Sequence, residues 1–203
     1  GQVLALLKKL KLEKNTIVFF TGDNGGQDRF RSKDRPRGFF GPNVNPKTGV
    51  EFRGGKSSLY EGGLRIPFLV RWPDQIKAGQ VSDLVFYQPD VLPTLTGLCG
   101  ARTPEEVDGL SILPTLLGEK KAGRKQEAHE MLYWEYGNQV AVRHGSWKAI
   151  KAGKTPQWAL YDLAKDLSET TDVSSANKDQ LAKMKAYAKK EHEPVRPGTF
   201  LDP

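Results

Sequence analysis

The apolar run TIVFF, residues 16–20, constrains the fold more than any other stretch of the chain. It is short, β-branched and aromatic, without alternation of apolar and polar residues, which is typical of a strand buried on both faces. The preceding stretch VLALLKKLKLEK, residues 3–14, places its apolar residues at helical spacing. A helix that leads into a continuous apolar strand predicts a parallel α/β sheet.

The pattern changes beyond a polar, charged segment at residues 120–127. Four short runs rich in β-formers follow, joined by tight turns, and this spacing predicts a four-stranded antiparallel sheet. The runs are MLYWEY, QVAVRHG, WKAIKAG and WALYDL. A last amphipathic helix, residues 177–192, is predicted to cover one face of that sheet through Leu181, Met184, Tyr187 and Ala188.

The fold class expected from these patterns is α/β, in two parts. Residues 1–120 form part of an α/β sheet domain, and residues 121–203 form a small α+β subdomain. Because the sequence begins inside a predicted helix, we expect it to be part of a longer protein. The open apolar edge of a partial sheet then predicts that the chain pairs with another chain, as an oligomer, or needs a missing N-terminal half.

Composition narrows the classes of protein further. No run of about 18 apolar residues is present, so no transmembrane helix and no membrane partner are expected. The single cysteine excludes an internal disulfide, and the formal charge of +7 indicates either anionic partners or a solvated basic surface.

The turn that ends the predicted strand carries Asp23 and Asn24 between glycines. Ligand sites of open α/β sheets lie at the carboxyl ends of strands, and carboxylate and amide oxygens suit Ca²⁺ or Mg²⁺. Asp, Asn and Gly also favour a plain turn without any ligand. Both interpretations stay open for this stretch alone.

A second glycine-rich stretch, GGKSSLYEGGLRIP, spans residues 54–67 and carries Lys56. It does not fit the phosphate-binding pattern GxxxxGK[ST]. The lysine suits an oxyanion such as sulfate or phosphate, or else it is a solvated surface residue.

The loop between these stretches contains RFRSKDRPRG, with a cation at every second position. It is either a polyanion-binding segment or a solvated loop. No aromatic-interleaved RNA motif and no helix-turn-helix pattern accompany it, so no nucleic acid partner is expected.

Taken in order, DNGG, GGKSSLYEGGLRIPFLVRWP, DLVFYQPDVLPTLTGLCG and VDGLSILPTLLG closely resemble the second half of type I sulfatases. These are the arylsulfatase-like enzymes of the alkaline phosphatase superfamily. The later RHGSWKAIKAG and WALYDLAKDLSETTDV are similar to the C-terminal subdomain of the same family. The resemblance covers essentially the whole chain and implies a hydrolase of sulfate esters, with sulfated glycans as the expected substrates and a periplasmic or secreted location.

The resemblance assigns roles to residues at matching positions. It implies that Asp23 and Asn24 ligate Ca²⁺, with Mg²⁺ as the alternative ion, and that Lys56 contacts the substrate sulfate. It also implies a substrate cleft lined by Arg29, Arg31, Arg35 and Arg53.

The motif EGGxRxP is interpreted as structural. Its glycines allow close backbone approach, and Arg65 is predicted to pair with a buried acid, either Glu61 or Asp90. Asp90 itself is expected to be structural.

The nucleophile of the family has no counterpart in this sequence. It is a formylglycine made from the motif Cys/Ser-x-Pro-x-Arg, which we expect in the missing N-terminal half. Cys99 lies in CGAR and is interpreted as a buried small apolar residue. His144 is interpreted as a turn residue, and His129 and His192 as surface residues. The chain alone is therefore expected to be inactive and, with two oxygen-bearing side chains, to bind Ca²⁺ weakly.

Two alternatives remain at this point. Phosphatases, phosphodiesterases and phosphonate hydrolases of the same superfamily carry Asp-His where this chain has Asp23-Asn24, so Asn24 favours a one-metal sulfatase. The other alternative is a non-catalytic module that binds acidic glycans.

Overall fold

A computed structural model describes residues 1–27, 43–45, 47–153, 156–194 and 198. It divides into two compact units that do not follow the order of the chain. The first unit comprises Gly1–Thr21 and Phe68–His129, and the second unit comprises Gly22–Pro67 and Glu130–Pro203. The predicted domain boundary at residue 120 stays a prediction.

The helices and strands alternate in type along the first half of the chain, and the second half holds most of the strands. In chain order they are α1 (Gln2–Lys9), β1 (Val18–Thr21), α2 (Glu61–Leu64), β2 (Phe68–Arg71), α3 (Val91–Cys99), α4 (Leu113–Leu117), α5 (Glu119–Ala122), β3 (Leu132–Tyr136), β4 (Gln139–His144), β5 (Trp147–Lys151), β6 (Ala159–Asp162) and α6 (Lys178–Glu191). Short 3₁₀ turns at Glu13–Asn15 and Gln88–Asp90 precede β1 and α3. The predicted fold class, α/β with an antiparallel sheet and a C-terminal helix, is confirmed.

The first unit differs from the prediction in the direction of its sheet. β1 pairs with β2 in antiparallel register, Val18 opposite Arg71 and Thr21 opposite Phe68. The predicted parallel, doubly buried strand is therefore wrong for the described residues, where the sheet has two strands and Phe20 is 64% exposed. With one neighbouring strand and few elements around it, β1 buries little of its apolar surface. No described helix is long and apolar enough to cross a bilayer.

A buried carboxylate joins three segments of the first unit. Asp90 accepts hydrogen bonds from the backbone N–H groups of Tyr87 and Leu110, at 3.0 and 2.7 Å, and its Oδ1 lies 2.7 Å from Nε2 of His129. Asp90 is thus structural, as predicted. His129 is not the surface residue expected, because its side chain is 11% exposed and packs edge-on against the Tyr87 ring.

The helix that follows Asp90 corrects one further prediction. α3 ends where Gly100 adopts a left-handed conformation, with a φ of 65°. Its buried residues, Pro93 and Thr94, lie in the first turn, so Cys99 at the opposite end is exposed rather than buried.

The second unit is built on the predicted meander, whose strands lie in the order β3-β4-β5-β6. Strand alternation sends Val142, Ala149 and Leu160 to one face, where Met184 and Ala188 of α6 cover them. The other face carries Ala141, Ile150, Tyr161 and Leu163, and Leu59 of the glycine-rich stretch packs against it. The sheet therefore holds α6 on one face and residues 53–65, hereafter the site loop, on the other.

Candidate functional site

The two predicted metal ligands lie in one tight turn of the second unit. Oδ1 of Asp23 accepts the backbone N–H of Asn24 at 3.0 Å, and Nδ2 of Asn24 donates to the carbonyl of Gly25 at 2.9 Å. Because the bond to Gly25 requires the NH₂ group of the Asn24 amide on that side, the amide oxygen lies on the other side. Within the described residues, Oδ1 of Asn24 and the second oxygen of Asp23 accept no hydrogen bond, which leaves them open to a cation.

Backbone contacts join this turn to the site loop. Gly25 donates its N–H to the carbonyl of Gly63 at 2.9 Å. A Cβ atom at Gly25 would lie 1.7 Å from the carbonyl oxygen of Gly62. Only glycine permits this approach, so the glycines after Asp23-Asn24 serve close packing of two backbones.

Asn43 reinforces the same junction. Its Oδ1 accepts the N–H of Gly26 at 2.9 Å, while its Nδ2 donates to the carbonyl of Gly62 at 2.7 Å. Nothing in the sequence pattern singles out Asn43, because asparagine is common in glycine- and proline-rich loops.

Lys56 is attached to the turn through its backbone. Its N–H donates to the carbonyl of Gly26 at 2.9 Å, and its side chain is exposed. Among the described residues, the Lys56 ammonium forms no hydrogen bond or ion pair. The structure thus brings the predicted metal ligands and the predicted sulfate-binding cation to the same cluster of glycines.

A buried charge cluster anchors the site loop to the sheet. Nζ of Lys148, which is fully buried in β5, lies 2.9 Å from Oε1 of Glu61 and 2.9 Å from Oε1 of Glu169. Oε2 of Glu169 accepts the backbone N–H of Glu61 at 2.6 Å. Arg65 donates Nε to Oε2 of Glu61 at 2.9 Å, which confirms Glu61 as one of its two predicted partners.

The two carboxylates of the charge cluster differ in their proton affinity. Burial alone would raise the pKa of Glu61, but the charges of Lys148 and Arg65 and their hydrogen bonds outweigh it, so that pKa is lowered. Burial raises the pKa of Glu169, and the attraction of Lys148 offsets only part of the effect. Glu61 is therefore the firmly ionised partner of the two.

Sequence reasoning missed Lys148 and Glu169. The available signal was strand parity, since Lys148 and the buried Ile150 lie two positions apart on β5 and so share a face. Glu169 has a φ of 54°, an uncommon conformation for a non-glycine residue, which its contacts to Glu61 and Lys148 hold in place.

The predicted cleft arginines divide into two groups. Arg53 donates Nη1 to Oη of Tyr161 at 3.0 Å and to the carbonyl of Glu169 at 2.9 Å. Its guanidinium also lies 4.0 Å from the centre of the Tyr60 ring, so Arg53 holds the site loop against the sheet. Arg29, Arg31 and Arg35 lie outside the described residues, and the cleft role of all four stays a prediction.

The remaining candidate ligands do not gather around the turn. His144 ends β4 before a turn, as predicted, and His192 is exposed and pairs with Glu135 at 2.8 Å. No group of three or more His, Cys, Asp or Glu side chains in the described ranges could hold a metal. Asp23 and Asn24 together carry three side-chain oxygens, against the roughly 6–8 ligands that Ca²⁺ takes. The donor chemistry fits a hard cation, but these two residues do not complete its coordination.

Comparisons with known families give two overlapping matches. A family model described as Sulfatase matches residues 1–101, and one described as N-sulphoglucosamine sulphohydrolase, C-terminal, matches residues 54–196.

Individual relatives agree with these matches. An N-acetylgalactosamine-6-O-sulfatase of Bacteroides thetaiotaomicron is 34% identical over 192 residues, covering 86% of this chain and 36% of the relative. A steryl-sulfatase of Rattus norvegicus is 39% identical over 161 residues, covering 74% of this chain and 26% of the relative. The chain thus spans about a quarter to a third of the length of these curated relatives.

A solved structure shares the fold over nearly the whole chain. It comes from work on the metabolism of multiple glycosaminoglycans by Bacteroides thetaiotaomicron, and it superposes with a TM-score of 0.77 at 28% identity. The match covers 94% of this chain and 41% of that one.

Proposed function

Because the chain belongs to the sulfatase family, as a type I sulfatase of the alkaline phosphatase superfamily, we propose that it forms the cation- and sulfate-binding part of a sulfuric ester hydrolase. One observation carries the proposal. The turn that holds Asp23 and Asn24 is joined to the site loop that holds Lys56 by two backbone hydrogen bonds, from Gly25 to Gly63 and from Lys56 to Gly26. The proposed cation site and the proposed anion-binding ammonium group would then share one support, as a preorganised site requires.

In the proposed mechanism, Asp23 and Asn24 each offer an oxygen to Ca²⁺, or to Mg²⁺ in its place. The ion would act as a Lewis acid on the sulfate oxygens. Lys56 places its ammonium group against the sulfate and offsets the negative charge of the transferring group. The charge cluster of Glu61, Lys148 and Glu169 positions the site loop and touches no substrate.

No nucleophile is assigned to this chain. The motif Cys/Ser-x-Pro-x-Arg, the source of formylglycine in the family, does not occur in the sequence. We therefore propose that the nucleophile comes from residues encoded upstream of Gly1 and that the chain alone does not turn over substrate.

The proposed substrates are sulfate esters of carbohydrates. The proposed location of the protein is outside the cytoplasm, either in the periplasm or secreted. The name of the Bacteroides relative and the glycosaminoglycan context of the solved structure support a carbohydrate as the sulfated alcohol. The name of the steryl-sulfatase relative describes a different ester, so the alcohol moiety is the part of the proposal that most needs a test. The resemblance to type I sulfatases supports the location.

The decisive experiment extends the reading frame upstream of Gly1 and assays the full-length product. We expect Ca²⁺-dependent hydrolysis of an aryl sulfate and of a sulfated oligosaccharide, with aryl phosphate and phosphonate esters hydrolysed far more slowly. Lys56→Ala should lower kcat/KM by about 10²–10³-fold, the typical cost of one charge-stabilising group. Lys47→Ala removes another exposed lysine of the second unit and should leave the rate unchanged.

Three outcomes would overturn parts of the proposal. A preference for phosphate esters would assign the chain to a phosphoesterase. An upstream frame without the Cys/Ser-x-Pro-x-Arg motif and without hydrolysis would leave a binding protein. Sulfate ester hydrolysis by residues 1–203 alone would place the nucleophile within this chain.

A further inference from the structure

The second unit has a cavity on the face of its sheet opposite the site loop. Its volume is about 390 Å³, within the ~300–1,000 Å³ typical of small-ligand sites. Val140 and Ala188, both buried, lie in its floor, and the partly buried rings of Tyr133 and Trp158 form its walls. The same residues belong to the core beneath α6, which fixes the cavity to the α6 side of the sheet.

Three lysines surround this cavity. Lys185 and Lys189 lie one helical turn apart on α6, and Lys151 ends β5 on the same side. Within the described part of the chain, none of the three ammonium groups forms a hydrogen bond or an ion pair. Three cations therefore line the cavity beside its aromatic rings, and in the described residues their ammonium groups are not engaged in a direct hydrogen bond or ion pair.

The acid in the cavity wall is already engaged. Glu135 accepts a hydrogen bond from the hydroxyl of Tyr133, and its Oε2 lies 2.8 Å from Nδ1 of His192. Burial would raise the pKa of Glu135, but the hydrogen bonds from Tyr133 and His192 and the nearby charge of Lys151 lower it. The ionised carboxylate offsets one of the three lysine charges, and the cavity keeps a positive excess.

The cavity is separate from the candidate site. Tyr133, Val140 and Lys151 point to the face that α6 covers, whereas Ala141, Ile150 and Lys148 point to the face that carries the site loop. A ligand in the cavity would lie behind the sheet and would not contact Asp23, Asn24 or Lys56.

We propose that this cavity is a second binding site for an anionic sugar residue of a sulfated polysaccharide. The apolar face of a sugar ring would lie against Trp158, and its sulfate or carboxylate groups would lie among Lys151, Lys185 and Lys189. The polymer identity rests on the proposed function. The site would hold a stretch of polymer remote from the bond being cleaved and keep the substrate near the protein.

The test measures binding of a fully sulfated heparin tetrasaccharide to residues 1–203 by calorimetry, with the desulfated tetrasaccharide alongside. We expect the double variant Lys185→Ala/Lys189→Ala to weaken binding by about tenfold or more, as the loss of charge-assisted contacts predicts. The matched control is Lys183→Ala/Lys190→Ala, which removes the same charge from α6 outside the cavity. This control should change the affinity less than about twofold, since exposed charges act weakly at a distance.

A second measurement reports on the aromatic wall. In NMR spectra of the ¹⁵N-labelled chain, the indole resonance of Trp158 should shift on titration with the tetrasaccharide, while that of Trp72, in the first unit, should not. This readout needs no substitution in the core, so it does not depend on whether a core variant folds.

Several results would overturn the inference: no binding by the wild-type chain, equal losses in the two double variants, a Trp158 resonance that does not move, or equally tight binding of a DNA oligonucleotide. If Lys56→Ala loses binding and the cavity variants do not, the tetrasaccharide binds at the candidate site. That result would contradict the second site and support the proposed function. If binding depends on the cavity lysines but the full-length protein hydrolyses no sulfate ester, the second site would be supported and the proposed function would fail.

Discussion

The two units of the molecule bury their apolar side chains to very different extents. In the second unit, Val142, Ala149, Leu160 and Met184 are fully buried between the sheet and α6. In the first unit, α1 has no buried residue, and Val3, Phe20 and Leu69 are each more than half exposed. Both regions have the local patterns that specify helices and strands. In the part of the chain that the structure describes, only the second unit has elements on both faces of its sheet.

This contrast shows that periodicity specifies elements, whereas burial depends on what covers them. Removing apolar surface from water stabilises the folded state by roughly 25 cal/mol per Å². The second unit gains this stabilisation from contacts between its own elements. Contiguous exposed apolar surface is characteristic of contact regions. The expectation that the first unit pairs with another polypeptide segment stays a prediction, and the following variants test the contrast.

The largest effect is expected from Lys148→Met. This substitution leaves Glu61 and Glu169 buried without their shared cation, which should lower the free energy of unfolding of the second unit by about 3–5 kcal/mol. Urea unfolding followed by tryptophan fluorescence measures it, since Trp134, Trp147 and Trp158 lie in that unit. Lys165→Met removes an exposed lysine as the control. A loss below about 1 kcal/mol would show that the charge cluster does not anchor the site loop.

Met184→Ala tests the opposite face of the sheet. Met184 is fully buried beneath α6, so truncation should destabilise the second unit by about 2–5 kcal/mol. The contrast requires the comparable truncation Leu6→Ala, in α1, to cost less than about 0.5 kcal/mol. Similar values for the two variants in urea unfolding would remove the distinction between the units.

An acid titration sharpens the description of the charge cluster. Because the pKa of Glu61 is lowered from 4.5 in the folded chain, its contribution to stability is present above pH 4.5 and is lost as the pH falls through the folded-state pKa. The destabilisation caused by Glu61→Gln should therefore be largest near neutral pH and shrink in acid. Urea unfolding at a series of pH values measures this change.

Glu169→Gln provides the control, because its effect on stability should change with pH in the opposite direction. The pKa of Glu169 is raised, so its contribution is present below pH 4.5 and is lost as the pH rises through the folded-state pKa. The cost of this variant should grow as the pH falls. Parallel pH profiles for the two variants would contradict the assigned directions of the two pKa shifts.

The smallest effect on stability is expected from the double variant Leu6→Ser/Phe20→Ser in the first unit. Both side chains are already more than half exposed, so the free energy of unfolding should change by no more than about 0.5 kcal/mol. If the exposed side chains of Leu6 and Phe20 mediate self-association, sedimentation velocity should show less self-association for the double variant than for the wild type. A large loss of stability would mean that these side chains are buried in solution.

Much of the fold could be predicted because its signals are local. The meander and α6 follow from alternation and helical spacing within each run, and both predictions are confirmed. The direction of the β1 strand could not be read in this way, since a continuous apolar run does not specify which strand lies beside it. The exposure of Cys99 and the burial of His129 likewise depend on neighbours distant in sequence.

The roles assigned to the candidate site residues stay predictions, but the short motifs that carry these residues could be recognised in the sequence, whereas the long-range contacts around them could not. Asp23, Asn24 and Lys56 lie in short stretches whose residue types indicate oxygen ligands and an anion-binding cation. Lys148 and Glu169 reach Glu61 across 87 and 108 residues of sequence. A lysine within a strand is usually exposed, so its role emerges only when both carboxylates are placed beside it.

The junction at Asn43 has a consequence for protein engineering. Asn43, which follows residues 27–42, bonds both Gly26, which precedes them, and Gly62 of the site loop. Once the ends of a segment are joined, doubling its length costs only about 0.6 kcal/mol in closure entropy. We therefore expect Asp23, Asn24 and Lys56 to stay in place when residues 28–42 are exchanged for the corresponding segment of a relative. Such an exchange would give a direct test of the predicted cleft role of Arg29, Arg31 and Arg35.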